Sequence, residues 1–318
     1  MNDSLQVLDQ IRLNFSEEGI FILNITLAFI MFGVALGIKI KNFKDVFLEP
    51  KLPIIGFVSQ FFVLPAITFI TVLALSWFIS PTMAMGMILV AACPGGNVSN
   101  FMTALAKGNA ALSVSLTAIA TIAAIVFTPL NFDIYGGLYN KFLSNSTNQL
   151  LQPLDINPNK MFEAVFILLG IPLVLGMLFN HFFPKTTSKI DKPIRIASIV
   201  VFFGIVGVML SNNFTNFMAY IKFIFLIVLA HNIIALLSGN LFARIWKIRG
   251  ANRRAITIET GIQNSGLALA LLFNPKIFPV ELNNGGMAFI AAWWGVWHII
   301  SGLAIAGIWS LREPKVKS

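Results

Sequence analysis

Charge is scarce in this chain of 318 residues: Asp, Glu, Lys and Arg make up 11% of it, against 57% hydrophobic residues. Soluble domains carry roughly 25% charged residues. A chain with so few, and with a mean hydropathy of +0.83, has too little polar surface to cover its apolar side chains, so a soluble fold is excluded. Cysteine is nearly absent. Cys93 stands alone inside an apolar run, which rules out an intrachain disulfide framework and a thiolate metal cluster. The three histidines, His181, His231 and His298, are far apart in the sequence. Neither HExxH nor GxSxG occurs, and no nucleophile has a base beside it, which turns the reading away from an intramembrane enzyme. Acidic residues number 13 against 22 basic ones, a net charge of +9, but the basic residues fall in short clusters between apolar runs. That pattern marks loops at a membrane rather than a nucleic-acid surface.

What the sequence has in abundance is apolar runs of bilayer length, roughly 20 residues each. They lie at about 20–40, 53–79, 83–106, 109–131, 161–183, 194–212, 219–246, 252–273 and 284–311, which predicts an all-α polytopic membrane protein with nine spans. Asp3, Asp9, Glu17 and Glu18 occupy the place where a cleavable signal needs positive charge, so the first run is expected to be a span. Sorting the Lys and Arg residues into alternate loops puts 17 on one side and five on the other, the five being Arg12, Lys141, Lys160, Lys222 and Lys276. The crowded side is expected to be cytoplasmic, with the N-terminus outside and the C-terminus inside, in a bacterial inner membrane. The predicted organisation is an extracytoplasmic segment over 1–19 and spans 1–4 over 20–131. An extracytoplasmic loop over 132–160, spans 5–9 over 161–311 and a tail over 312–318 complete it.

Two spans are interrupted by polar, glycine-marked clusters, CPGGNVSN at 93–100 and ETGIQNSG at 259–266. They fall in the third and eighth spans. An offset of five is odd, so the two halves run in opposite directions through the bilayer, as inverted repeats do, and the first repeat is one helix short of the second. Pro94 removes an amide donor, and the adjoining glycines ease departure from helical geometry. Broken backbone at that depth has to be buried in protein or line a cavity.

Glu259 is the one carboxylate in the central part of any span, and an acid there demands a cation, a proton or a paired base. Arg253 and Arg254 precede it by about a turn and a half and are expected at the cytoplasmic end, which makes a bound cation the better partner. Around it in mid-span positions are hard oxygen donors, Gln60, Ser99, Asn100, Ser113, Thr117 and Gln263, a set suited to alkali or alkaline-earth ions. A single carboxylate argues against calcium. Ser113 and Thr117, four apart, share one helical face, although a lone membrane Ser or Thr more often bonds the carbonyl one turn back.

These motifs resemble the bile acid:sodium symporter family, which includes bacterial homologues and the vertebrate bile-acid carriers. The resemblance runs through IMFGVALGIK at 30–39, GFVSQFFVLPA, CPGGNVSNFMTALAKGNAALSVSLT, LAHNI and TIETGIQNSGLALAL to WHIISG at 297–302. It implies two sodium ions. One would be held by Ser99, Asn100, Ser113, Thr117 and Glu259, the other by Glu259, Gln263, Gln60 and backbone carbonyls near Thr260 and Ile262. It implies substrate contacts at Asn97, Asn264 and His298, a panel domain of spans 1, 5 and 6, and a core domain of spans 2, 3, 4, 7, 8 and 9. Position 97 is Asn, as in vertebrate members, where bacterial ones often have Thr. His298, read without the family, is a packing residue among tryptophans. The expected function is sodium-coupled symport of an organic anion, bile-acid-like or a smaller carboxylate, by alternating access of a monomer. A proton carried by Glu259 is the alternative, and a passive channel ranks below both.

Overall fold

The computed structural model describes residues 17–38, 50–146, 158–212, 214–279 and 282–314, and among them there is helix and no strand. The helices are α1 (Glu17–Leu36), α2 (Lys51–Ala74), α3 (Pro81–Ala92), α4 (Asn97–Leu105), α5 (Ala110–Ser146), α6 (Pro158–Phe182), α7 (Pro184–Asn212), α8 (Phe214–Ile245), α9 (Gly250–Gly261), α10 (Ser265–Leu272) and α11 (Gly285–Ser310). Among the described residues, five of them, α2, α5, α6, α8 and α11, are long and apolar enough to cross a bilayer. Large apolar side chains such as Ile70, Phe101, Val174 and Leu226 face outward, while Ser59, Ser99, Ser113 and Glu259 are buried. That distribution suits lipid as the surrounding solvent, and the protein is an all-helical polytopic membrane protein.

α1 packs against α6 and α7, while α8 packs against α9 and α11, α3 against α5 and α11, and α4 against α5, α9 and α11. Lipid offers no hydrophobic drive to bring helices together, so close backbone approach through small residues matters more than in water. Gly86 of α3 supplies one such approach: a Cβ there would lie 2.8 Å from the Met287 Cα in α11.

The two predicted interruptions are real breaks, and they are shorter than the polar clusters that announce them. α3 ends at Ala92 and α4 begins at Asn97. α9 ends at Gly261 and α10 begins at Ser265. Cys93 (φ −101°, ψ 97°) and Ile262 (φ −109°, ψ 97°), the first residue of each break, have nearly the same extended conformation.

Other expectations need correction. The loop expected over 132–160 is helical through Ser146 and again from Pro158. The polar residues of this segment mask a helical stripe, Phe132, Tyr135, Tyr139 and Phe142, of which Phe132 and Tyr139 are buried in the main core. The basic segment before the predicted span at 194 is also helical: α7 begins at Pro184, where a ring-fixed φ and a missing amide suit a helix start. The segments 1–16, 39–49 and 147–157 and the final residues 315–318 lie outside the described residues, and so do most of the predicted N-terminal segment and tail.

Two helices contain a wider π-type turn, Ser59–Val63 in α2 and Phe166–Gly170 in α6. Each is followed within two residues by a proline, Pro65 and Pro172. Proline cannot donate to the carbonyl a turn back, and a π turn inserts one residue to absorb the mismatch. In α2 this shift places Gln60 and Ser59 toward α9.

Candidate functional site

The breaks cross each other. The Asn264 amide donates to the Cys93 carbonyl at 3.1 Å. A Cβ on Gly95 would lie 2.4 Å from the Ile262 carbonyl oxygen and 3.2 Å from that of Glu259, so backbone touches backbone and only glycine fits. The carbonyls released at the breaks are taken up by side chains, two from neighbouring helices and one from the second break itself. Thr128 of α5 donates to the Ala92 carbonyl at 2.7 Å, Asn232 of α8 to that of Gly261 at 2.9 Å, and Gln263 to that of Thr260 at 2.8 Å. Asn131, one turn beyond Thr128, donates to the Phe61 carbonyl at 2.9 Å, the one Pro65 leaves without its usual partner. Pro129 lies between these two capping residues. An unpaired carbonyl inside a bilayer is heavily penalised, and this web of caps is what allows broken helix at that depth.

Glu259 sits in the last turn of α9 with 0% of its surface exposed. Its Oε1 accepts from Ser99 at 2.8 Å and Thr117 at 3.3 Å, and from Ser113 in a close contact. Its Oε2 faces Thr117 at 3.3 Å and the Gln60 amide at 3.4 Å. Asn100 Oδ1 is within reach of Ser113 at 2.8 Å and Thr117 at 3.1 Å, and Ser99 also reaches the Gly96 carbonyl at 2.5 Å. A hydroxyl has one proton to give. The donors around the carboxylate, the hydroxyls of Ser99, Ser113 and Thr117, that of Thr103 at 3.2 Å from Ser113, and the Gln60 amide, are all neutral. This is a cluster of oxygens short of positive charge.

The second predicted set lies on the other side of the carboxylate. Gln60 Oε1 and Gln263 Oε1 are both buried without a hydrogen-bond partner. Ser59 bonds Thr260 through their hydroxyls at 2.8 Å and ties the π turn to the end of α9. The Thr260 carbonyl is occupied by Gln263, and the Ile262 carbonyl abuts Gly95. Among the described residues no cationic side chain pairs with Glu259. Arg254 turns away from it: one guanidinium nitrogen donates to the Ala106 carbonyl at 2.7 Å, the other to that of Arg312 at 2.8 Å, and the group lies 5.7 Å from the Trp309 ring centroid.

The residues named for substrate are placed unevenly. Asn264 lies in the second break, where its Oδ1 caps α10 by accepting from the Leu267 amide at 3.0 Å. Asn97 opens α4, and its side chain lies outside the described residues. His298 is buried in α11, with Nδ1 2.6 Å from the Trp294 carbonyl one turn earlier, the packing role that base rates assign to it. The sequence reading passed over Ser59, Thr128, Asn131 and Asn232. Their signal was present as polar residues in mid-span, two of them flanking a proline.

A buried carboxylate at the crossing of two interrupted helices, in a polytopic helical membrane protein, defines the architecture of a secondary transporter. Residues 24–220 match the Sodium Bile acid symporter family. The chain is 33% identical over 293 residues to the uncharacterized sodium-dependent transporter YocS of Bacillus subtilis, covering 92% of this chain and 84% of that one. It is 30% identical over 289 residues to the probable sodium/metabolite cotransporter BASS1, chloroplastic, of Arabidopsis thaliana, and 29% identical over 264 residues to the human P3 protein. Those matches cover 90% and 81% of this chain, which spans 66% of the plant protein's length and 52% of the human one's. The chain belongs to the sodium bile acid symporter family.

Proposed function

We propose that this protein is a sodium-coupled symporter that carries a small organic anion across the membrane by alternating access. The observation that carries this reading is Glu259: fully buried, without a cationic partner among the described residues, and ringed by the neutral hydroxyl oxygens of Ser99, Ser113 and Thr117. Sodium takes oxygen ligands of this kind, and the printed names of YocS and BASS1 agree with it as the coupling ion. One ion is assigned to Ser99, Asn100, Ser113, Thr117 and Glu259. The second is assigned to Glu259, Gln60, Gln263 and the carbonyls of Thr260 and Ile262, where the unpartnered amide oxygens of Gln60 and Gln263 fit a cation.

In this mechanism sodium tightens the crossing, and the N-terminal ends of α4 and α10, the positive ends of their helix dipoles, then complete an anion site with Asn97 and Asn264. His298 is assigned to the same site. The nine spans are α1, α2, α3 with α4, α5, α6, α7, α8, α9 with α10, and α11, arranged as inverted repeats about the crossing. The packing of α1 with α6 and α7 supports a panel of these three against a core of the rest. The protein is placed in a bacterial inner membrane with its N-terminus outside. Two sodium ions with one monoanion would carry net positive charge inward.

The test is the thermal stability of purified protein titrated with sodium or potassium, in wild type and Glu259→Ala, followed by a screen of organic anions in each salt. The expected result is stabilisation by sodium alone, lost in the variant, with anions binding better when sodium is present. Equal effects of both salts, together with uptake driven by a pH step in sodium-free buffer, would replace sodium with a proton on Glu259.

A further inference from the structure

The segment from α8 into α9 reads Arg244-Ile245-Trp246-Lys247-Ile248-Arg249-Gly250-Ala251-Asn252-Arg253-Arg254, with five cations in eleven residues. Arg254 is committed to the Ala106 and Arg312 carbonyls. The other four pair with no acid among the described residues, and the charges of Arg244, Arg249 and Arg254 all bear on Arg253. The backbone concentrates them. Lys247 holds a left-handed φ of 60°, closing α8 with Ile248 N–H donating to the Ala243 carbonyl at 2.8 Å and its own N–H to Arg244 at 2.9 Å. That position usually falls to glycine, and a lysine there bears strain. The other left-handed residue that is not glycine among those described, Lys107 (φ 51°), ends α4 in the same way and pairs with Glu313. Lys247 has no such acid among the described residues. The turn sends Ile248 into a buried cluster with Ile55, Ala255 and Ile256 and leaves Ile245 and Trp246 facing out, 74% and 50% exposed.

We infer that Arg244, Lys247, Arg249 and Arg253 form a binding surface for the phosphate headgroup of an anionic membrane lipid, with Ile245 and Trp246 against its acyl chains. Four cations that pair with no acid among the described residues, at the junction of two membrane helices, attract anionic lipid, with each Lys or Arg near the surface strengthening the attraction. The exposed apolar pair separates a lipid from a soluble phosphate, which would gain nothing from Ile245, and tryptophan is at home at the level of the headgroups. The headgroup bridges the end of α8 and the start of α9, the half-helix that carries Glu259 two turns further on.

The test uses full-length purified protein in nanodiscs of phosphatidylcholine alone or of phosphatidylcholine and phosphatidylglycerol in equal parts, reading bound phosphatidylglycerol by native mass spectrometry and stability by melting. Wild type is expected to retain phosphatidylglycerol and to melt higher with it. Arg249→Gln with Arg253→Gln is expected to weaken retention about 30-fold, roughly fivefold for each charge. Arg249→Lys with Arg253→Lys keeps the charges, and it is expected to keep the lipid. Lys189→Gln with Lys192→Gln, which neutralises two exposed lysines of α7, should leave retention unchanged. Equal retention by the wild type and the glutamine variant overturns the proposal. So does an equal loss in the α7 variant, which would mean a diffuse charge effect, or displacement of the lipid by soluble glycerol phosphate at equal concentration, which would mean a site for free phosphate.

Discussion

Replacing Asn131 by leucine keeps the branched shape of the side chain and removes the amide that holds the Phe61 carbonyl at 2.9 Å. That carbonyl lies one residue from Gln60, inside the π turn that Pro65 imposes on α2. A side-chain hydrogen bond within a membrane protein is worth about 0.6 kcal/mol on average and up to about 1.7. Leaving a buried acceptor unpaired costs about 1–3 kcal/mol, so about 1.5 kcal/mol is expected here. If the turn relaxes without its cap, sodium has to restore it on binding, and that energy appears as a roughly tenfold rise in the sodium concentration giving half-maximal stabilisation. The assay is melting temperature against sodium at constant ionic strength, with potassium as the balancing salt. A capping residue with no part in ion binding would lower the melting temperature equally in both salts and leave the sodium midpoint unmoved. That result would refute the assignment of Gln60 to the second ion through the π turn.

Gln263→Ala should reduce the steepness of the sodium response from about two ions towards about one, because it removes the unpartnered Oε1 while leaving the Ser99, Ser113 and Thr117 side intact; sodium-dependent melting fitted for cooperativity checks this. Gly95→Ala should destabilise by about 2–3 kcal/mol and abolish the sodium effect, since its Cβ would come within 2.4 Å of the Ile262 carbonyl oxygen, and only backbone movement relieves the clash; unchanged sodium stabilisation would count against the crossing as the ion site. Cys93, the one cysteine and fully buried beside the break, should react with a membrane-permeant maleimide several-fold more slowly in sodium than in potassium, as followed by mass. Uptake should rise as the interior is made more negative, about 2.3 kcal/mol per net charge per 100 mV, and uptake indifferent to potential would exclude two sodium ions with a monoanion.

The breaks were legible because proline and glycine act locally: Pro94 and Gly95 forbid or weaken a helix whatever surrounds them. The face shared by Ser113 and Thr117 was legible from helical spacing alone, and both point to Glu259. The caps were harder to read. Nothing in the sequence says which carbonyl Thr128 or Asn232 will find, since the partners lie 36 and 29 residues away. The π turn depends on how α2 settles against α9, where Ser59 meets Thr260 across 201 residues. The extension of α5 to Ser146 was hidden by composition, because Asp133, Gly136, Gly137, Asn140, Lys141 and Asn145 interrupt the apolar residues that keep the helical stripe going.

The contact between Asn264 and Cys93 also sets a timetable for assembly. The Cys93 carbonyl leaves the ribosome about 170 residues before the amide that satisfies it, an interval on the order of ten to thirty seconds at roughly 5–20 residues per second. Throughout that time the first break is in the membrane without the second, its carbonyls held only by what the earlier half and α5 can offer. Insertion therefore leaves a half-made polar crossing waiting in the translocon or in contact with water, and the protein can become watertight only when its last third arrives.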